Sequence, residues 1–455
     1  MARLEAPVEI GNCQVPNRLY RAPLLECAGN DEDAVDILID ELVPAAESGA
    51  GVIFQGATIV RGEGGCAAPG MTRVHDPDFV SRLSRLTDAI HDCGGKIFVQ
   101  LEHGGLRSME IWHAGYRTEH PDLEQLVVSR PPRLLRALDR AGFLDLNPRV
   151  MTTEEVYELA ADFGRAAARA TETGYDGIHL AGANMGILQQ FLSPYYNRRD
   201  DEFGGSPTAR ARFLELLAEE IRDRAGDVPL VTKVPAETAA PPFVRRRISR
   251  NEGVALAERA ADAGYDALVP VEVSTFWDMS VIRGEYPAQA WRDERFREGY
   301  TEAFGSRWRT RLVTAANRVQ ALWYSRETAW NESFCRAVRE RVDVPVLLEG
   351  GVRTREEIER LLGEGVESRA ADLVGMGRPF YAEPRLPARL LAAEAGAETA
   401  VACEDCNNCT VPQVTGARGI CRTPSVLEKR GEYERSGAYA VESRDRESVC
   451  SGDRD

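Results

Sequence analysis

Apolar residues recur along this chain in two alternating modes. Short runs of β-favouring residues are each followed by a longer segment whose apolar positions return every three to four residues. The runs predict strands over Arg18–Leu24, Gly51–Ile59, Lys96–Leu101, Gly177–Ala181, Pro229–Pro235, Ala267–Val273, Pro345–Glu349 and Ala371–Met376. The intervening segments predict helices, the clearest opening at Thr152/Thr153 with Glu155 in capping-box position. Eight strand–helix alternations predict an α/β fold, a (β/α)8 TIM barrel, with an open doubly wound sheet as the rival that strand count alone does not exclude. No GxGxxG follows the first strand, so a dinucleotide fold has little support.

Two interruptions exceed normal loop length: Glu102–Thr152 after the third strand and Ser274–Trp330 after the sixth. Both leave from strand C-termini, where barrels place their chemistry. The second carries Trp277, Trp291, Trp308, Trp323 and Trp330, most of which are expected to pack the insertion on the barrel, and a helical stretch, SRWRTRLVTAANRVQALW. The domains predicted are a barrel over 1–398, a cysteine segment over 399–427 and a charged, poorly ordered tail over 428–455.

Charge narrows the partners. Fifty-six basic against 72 acidic residues leave a net −16, which disfavours nucleic acid and anionic membrane as partners. Only Lys96, Lys233 and Lys429 are lysines; acidic, lysine-poor composition suggests a halophilic cytoplasm, although genomic base composition also produces such a bias. No run approaches the ~20 apolar residues that span a bilayer, and the N-terminus lacks signal-peptide character, so a cytoplasmic protein is expected.

Candidate chemistry gathers at the predicted strand ends. Gly350-Gly351 and Gly375-x-Gly377-Arg378 close strands seven and eight, where barrels hold phosphate through backbone N–H groups. Gln100, His103 and Lys233 interrupt or follow apolar strands, and a cation such as Lys233 suits a reduced, anionic cofactor. Cys403, Cys406 and Cys409, at CxxCxxC spacing, with Cys421 after eleven residues, suit tetrahedral zinc or a [4Fe–4S] cluster; a metal-free remnant is the third option.

NRLYRAP (17–23), QLEHGG (100–105), QQFLSPYYNRRDDEFGGS (189–206), EGGVR (349–353) and LVGMGRPF (373–380) together resemble the old yellow enzyme family of FMN oxidoreductases. The branch most similar contains trimethylamine dehydrogenase and bacterial 2,4-dienoyl-CoA reductase. The resemblance implies FMN at the barrel's C-terminal face. Ala22, Pro23, Leu24, Leu25, Ala57 and Gln100 would stand at the ring, Lys233 near N1, and Gly351, Arg353, Gly377 and Arg378 at the phosphate. Leu25 stands where the amine dehydrogenases attach flavin through cysteine, so the flavin is expected to dissociate; Cys27 is a remote alternative attachment point. The resemblance also favours [4Fe–4S] on Cys403, Cys406, Cys409 and Cys421.

Departures from the family pattern bear on the reaction. Ala181, Asn184 and Gly186 replace the usual oxygen-binding pair and proton-donor tyrosine. Asn184 still donates a hydrogen bond; His179, on the same strand, is a second candidate, with a structural role as the rival reading. Catalytic roles are therefore expected for Asn184, His179 and Lys233. Substrate contact is expected at Asn184, Trp277 and Asp278, where Trp277 with Asp278 and Glu272 would hold a methylated ammonium.

The leading expectation is hydride exchange with a small organic substrate, leaning to amine dehydrogenation or N-demethylation, with electrons relayed through the cluster. The alternatives are an NAD(P)H-dependent ene reductase and a degenerate barrel acting as a binding protein. The chain ends without a further GxGxxG, so a separate electron-transfer protein or NAD(P)H is expected as partner. Homo-oligomerisation is left open.

Overall fold

The computed structural model describes residues 3–62, 64–363, 369–394 and 399–441. Eight parallel strands run β1 Leu19–Arg21, β2 Val52–Ile59, β3 Ile97–Glu102, β4 Gly177–Leu180, β5 Leu230–Ala236, β6 Ala267–Glu272, β7 Leu347–Glu349 and β8 Leu373–Met376. Their lateral order is β6-β5-β4-β3-β2-β1-β8-β7. The Leu268–Val346 bridge joins β6 to β7. Above it, Asn331 accepts from Glu272 N at 2.8 Å and donates to Glu349 O at 2.8 Å. One buried side-chain amide thus completes the seam where the ladder is thinnest. The expected barrel is present, nearly closed.

Strands buried on both faces explain the continuous apolar runs. The interior is filled by Tyr20, Phe54 and Phe98, edge to face at 5.4 and 5.3 Å. Room for them comes from neighbouring glycines: a Cβ on Gly375 would stand 2.1 Å from the Tyr20 ring, and one on Gly177 2.3 Å from Phe98. An antiparallel hairpin, Val8–Ile10 with Cys13–Val15, contributes Ile10, Cys13 and Val15 to this same inner core.

The outer core lies between strands and helices, among them Ala34–Glu47 (α1), Ser84–His91 (α2), Thr153–Glu172 (α3), Pro207–Ala225 (α4) and Arg250–Asp262 (α5). The capping box on α3 is formed, with Thr152 Oγ1 accepting from Glu155 N and Glu155 Oε2 accepting from Thr152 N. A Cβ on Gly164 of α3 would meet the backbone of Glu220 on α4, so these helices pack closely because this residue is glycine.

The insertions depart from expectation in one respect. The second does contain a helix, Arg307–Trp323, and Trp330 is buried, but Trp308 and Trp323 face solvent at 52% and 63% exposure. They do not pack the insertion on the barrel, because both belong to the helix's outer face. The tail also differs. Helix Pro424–Arg435 continues past residue 428; Tyr439 donates to Glu383 at 2.9 Å, and Arg389 stacks on Tyr433 at 3.7 Å. Two aromatic anchors order a segment whose composition predicts disorder. Residues 442–455 of that expectation lie outside the described residues. Among the described residues, no helix is long and apolar enough to cross a membrane.

Candidate active site

A cavity of about 530 Å³ opens at the C-terminal ends of the barrel strands. Its lining includes Ala22, Pro23, Leu24, Leu25, Ala57, Gln100, Lys233, Gly351, Gly377 and Arg378. Nearly the whole flavin set expected from the sequence therefore converges on one space.

Lys233 Nζ is ion-paired with Glu349 at the end of β7. The second carboxylate oxygen of Glu349 is buried without a hydrogen-bond partner, so the pair leaves a polar atom that a ligand donor could satisfy. The flat apolar strip Ala22–Leu25, the amide of Gln100, the Lys233 ammonium and the glycine-rich ends of β7 and β8 fit a flavin mononucleotide. Gly350 and Gly351, with φ of 108° and 75°, lie where a Cβ would strike Trp330 and the backbone of Glu327, respectively.

Arg353 does not reach this cavity. It pairs with Asp405 and donates to Cys403 O, binding the barrel to the cysteine segment. Arg378 does line the cavity, donating to Asn407 Oδ1 at 2.6 Å and Arg283 O at 2.7 Å, with Asp405 at 3.3 Å. Asp405 thus stands among Arg353, Arg378 and Arg326.

His179 is likewise not a wall of the cavity. It is 1% exposed, packs edge-on against Phe54 and accepts a 3.0 Å hydrogen bond at Nδ1 from Gln100 Nε2. Burial, and then the Lys233 charge, hold its pKa well below the usual histidine value. A neutral ring one layer beneath the site orients Gln100. Cys27 is also buried outside the lining, and burial raises its thiol pKa.

Asn184, Trp277 and Asp278 do line the cavity. Asn184 and Met185 have φ of 59° and 60°, two successive left-handed residues without glycine. Such a turn persists only where its surroundings over-determine it. Arg107 Nη1 donates to Asn184 O at 2.5 Å, Met185 N donates to Gln189 Oε1 at 2.6 Å, and Gln190 Nε2 donates to Met185 O at 2.7 Å. Gln190 also reaches Gly104 O, and Gln189 reaches Glu237 and Ser274 O. The QQFLSP segment is therefore the clamp that joins the loops after β3, β4, β5 and β6.

Arg107 escaped the sequence reading. It lines the cavity, pairs with Glu102 at 3.1 Å and lies 5.6 Å from the centre of the Trp277 ring. One of several arginines in a long insertion carries no local signal of this position. Trp277 therefore already has a cation against it, and Glu272 is engaged by Arg250. Asp278 is held by Ser280 N and the Tyr324 hydroxyl, each at 3.0 Å, and burial raises its pKa.

Cys403, Cys406, Cys409 and Cys421 line a second, small cavity beyond Arg378. Burial pushes the Cys403 thiol up to about 12 and raises those of Cys409 and Cys421; the other three cysteines add to the rise at Cys409. Four thiols facing one cavity, whose charged forms repel one another, fit a soft cationic centre. As they stand, no group of three or more such ligands among the described residues is arranged to hold a metal ion. Cys406 Sγ instead meets Thr423 Oγ1 at 2.9 Å.

The model of the NADH:flavin oxidoreductase / NADH oxidase family matches residues 3–242, more than half of the chain. The chain belongs to this family. NADH:flavin oxidoreductases are FMN-dependent enzymes of the old yellow enzyme type, in agreement with the lining of the large cavity. An NADH oxidase of Thermoanaerobacter brockii is 27% identical over 428 residues, covering 90% of this chain and 56% of its own. A cinnamate reductase of Clostridium sporogenes is 25% identical over 403 residues, covering 84% and 52%. Among solved structures, a 2-naphthoyl-CoA reductase superposes with a TM-score of 0.70 at 19% identity, over 94% of this chain and 57% of its own. The chain spans about half the length of the curated relatives it matches.

Proposed function

We propose that this chain is an FMN-dependent oxidoreductase that reduces an activated double bond in a small substrate bearing a carboxylate or carbonyl oxygen. The observation that carries this reading is Arg107, a guanidinium in the cavity wall beside Asn184 and against Trp277. A cation there favours an anionic or electron-rich oxygen over a methylated ammonium. FMN, when bound, supplies hydride exchange at its N5. Asn184 and Arg107 then hold the substrate oxygen, and Asp278 carries the proton that the absent tyrosine would otherwise give. Lys233, with Glu349, sets the charge beside the ring. The relative that reduces cinnamate agrees with this substrate class.

The aromatic part of the lining, Trp277, Trp291 and Phe304 with Asp278, favours a second reading, dehydrogenation of an amine. In both readings Cys403, Cys406, Cys409 and Cys421 would hold a [4Fe–4S] cluster, which would supply one-electron transfer between the flavin and NAD(P)H-linked or protein carriers. Support comes from the four thiols facing one cavity; closure of that loop on iron is part of the proposal.

Anaerobic titration separates the readings. The FMN-loaded, reduced chain is mixed with cinnamate-type enoates, and the oxidised chain with methylated amines, while flavin absorbance is followed. Reoxidation by enoates supports the first reading. Bleaching by amines alone replaces it with the second, and no response to either defeats both.

A further inference from the structure

Helix Arg307–Trp323, in the insertion after β6, has two sides with nothing packed on them. Its inner side lines the large cavity through Val313, Ala316, Asn317 and Gln320, and Asn317 Oδ1 accepts from Trp291 Nε1 at 3.0 Å. The helix is thus part of the cavity wall. Of its described residues only Ala321 is buried.

The opposite side is apolar and exposed. Trp308, Leu312, Ala315, Val319 and Leu322 recur at alternating spacings of four and three, the a/d seam of a coiled coil, and all five face solvent. Leu322 is 77% exposed, and Leu312 and Val319 46% each. Single apolar side chains on a surface need no account, but a contiguous stripe marks a contact site. The stripe continues past the helix. The Trp308 ring meets that of Phe143 at 6.1 Å, and Phe143, itself exposed, donates its N–H to Leu138 O. Leu138 and Leu134 are exposed in turn.

Charge indicates what covers this stripe. The helix carries Arg307, Arg309, Arg311 and Arg318 and no acidic residue, in a chain of net charge −16. Arginines elsewhere in the same insertion have carboxylates: Arg283 pairs with Glu327, Arg295 with Asp293, Arg297 with Glu294 and Arg326 with Asp405. Among the described residues Arg307 and Arg311 have none, while Arg309 and Arg318 lie over the rings of Trp308 and Tyr286. Arg311 and Arg318 directly precede Leu312 and Val319, at the flanking positions that select a coiled-coil partner by charge. A second copy of the helix laid antiparallel on the seam would set Arg311 against Arg318, and laid parallel would offer neither a carboxylate; like charges so placed oppose association.

We propose that this stripe is the docking site for an acidic amphipathic helix of another protein, laid along Trp308–Leu322 with its carboxylates on Arg307, Arg311 and Arg318. The seam spans about 21 Å, room for a partner helix of about two heptads or more. The apolar rows supply the contact area, and the arginines set the choice of partner and its orientation. A partner so placed lies over the wall of the large cavity, and its docking does not depend on which reaction the cavity performs.

The test is fluorescence anisotropy of a labelled synthetic peptide of about three heptads, with leucine at a and d and glutamate at e and g, titrated with the FMN-loaded full chain. A peptide with lysine at e and g is the control. The inference requires saturable binding of the glutamate peptide, about tenfold or more tighter than the lysine peptide and weakened by salt. Leu312→Gln/Leu322→Gln and, separately, Arg307→Glu/Arg311→Glu should each weaken it by about tenfold or more, with FMN content as in the native chain. All four side chains are exposed and outside the cavity lining, so lost binding with the flavin retained reports on the surface itself. Binding should also shift tryptophan emission to the blue, and Trp308→Phe/Trp323→Phe should remove most of that shift. Equal binding of the two peptides, or an affinity unchanged in both variants, overturns the inference. So does a dimer in sedimentation equilibrium that Leu312→Gln/Leu322→Gln dissolves, which would make the stripe a face between copies of this chain. Preference for phosphatidylglycerol vesicles over the glutamate peptide overturns it as well, in favour of a membrane contact.

Discussion

Single residues carry the chemistry here through their surroundings. Arg107 is matched by Glu102 and leans on Trp277, so its guanidinium is oriented before any substrate arrives. Arg107→Gln should raise KM for an enoate by roughly tenfold or more, the scale of a lost hydrogen bond to a charged group, with FMN content unchanged by absorbance. Asp278, whose raised pKa keeps it protonated to higher pH, should matter to kcat instead. Asp278→Asn should lower kcat by about 10²-fold, the usual scale of general acid catalysis, and remove the matching limb of the pH–rate profile. Glu237 acts on stability. Burial raises its pKa to about 7 from the ordinary carboxylate value of 4.5, despite hydrogen bonds from Gln189, Ser193 and Ile248 N. The folded state then holds a proton that the unfolded chain releases above pH 4.5. Its contribution is present in full below that pH and is lost as pH rises towards 7, by about 3 kcal/mol. Urea midpoints across this window should fall, and Glu237→Gln should flatten the trend.

Elements follow local rules wherever the local rule is strong. The capping box predicted at Thr152 and Glu155 forms, and Thr152→Ala should cost about 1 kcal/mol in urea unfolding. The seam between β6 and β7 obeys no local rule. Asn331 lies 59 residues from Glu272 and 18 from Glu349, and its amide holds both. Asn331→Ala should leave a buried N–H and a buried C=O without partners, costing about 2–4 kcal/mol, read as a lower urea midpoint with weakened FMN retention. The tail marks the opposite limit. Its composition argues for disorder, yet Tyr433 and Tyr439 find Arg389 and Glu383, contacts that no window of sequence contains.

At the scale of the whole molecule, the barrel and the cysteine segment are joined by charge. Asp405, between Cys403 and Cys406, draws Arg353 and Arg378 from the ends of β7 and β8 and Arg326 from the second insertion. A resemblance that places Arg353 at a phosphate cannot see this, because the acidic partner arrives from about fifty residues away. Asp405→Asn should free those guanidiniums and change FMN affinity measurably by flavin fluorescence.

The strand–helix alternation determined the barrel, and the positions of the glycines, Lys233 and the four cysteines marked two groups of residues that the structure gathers around two cavities, because strand ends and short spacings are local properties. The signature QQFLSPYYNRRDDEFGGS identified the family, yet its glutamines hold loops rather than substrate. Only the tertiary structure decided that His179 lies beneath the site, that Arg353 faces the cysteine segment, and that Arg107 stands beside Asn184. Each depends on which side chains approach from distant loops. Burial and ion pairing, unlike hydrophobic periodicity, are properties of the closed molecule.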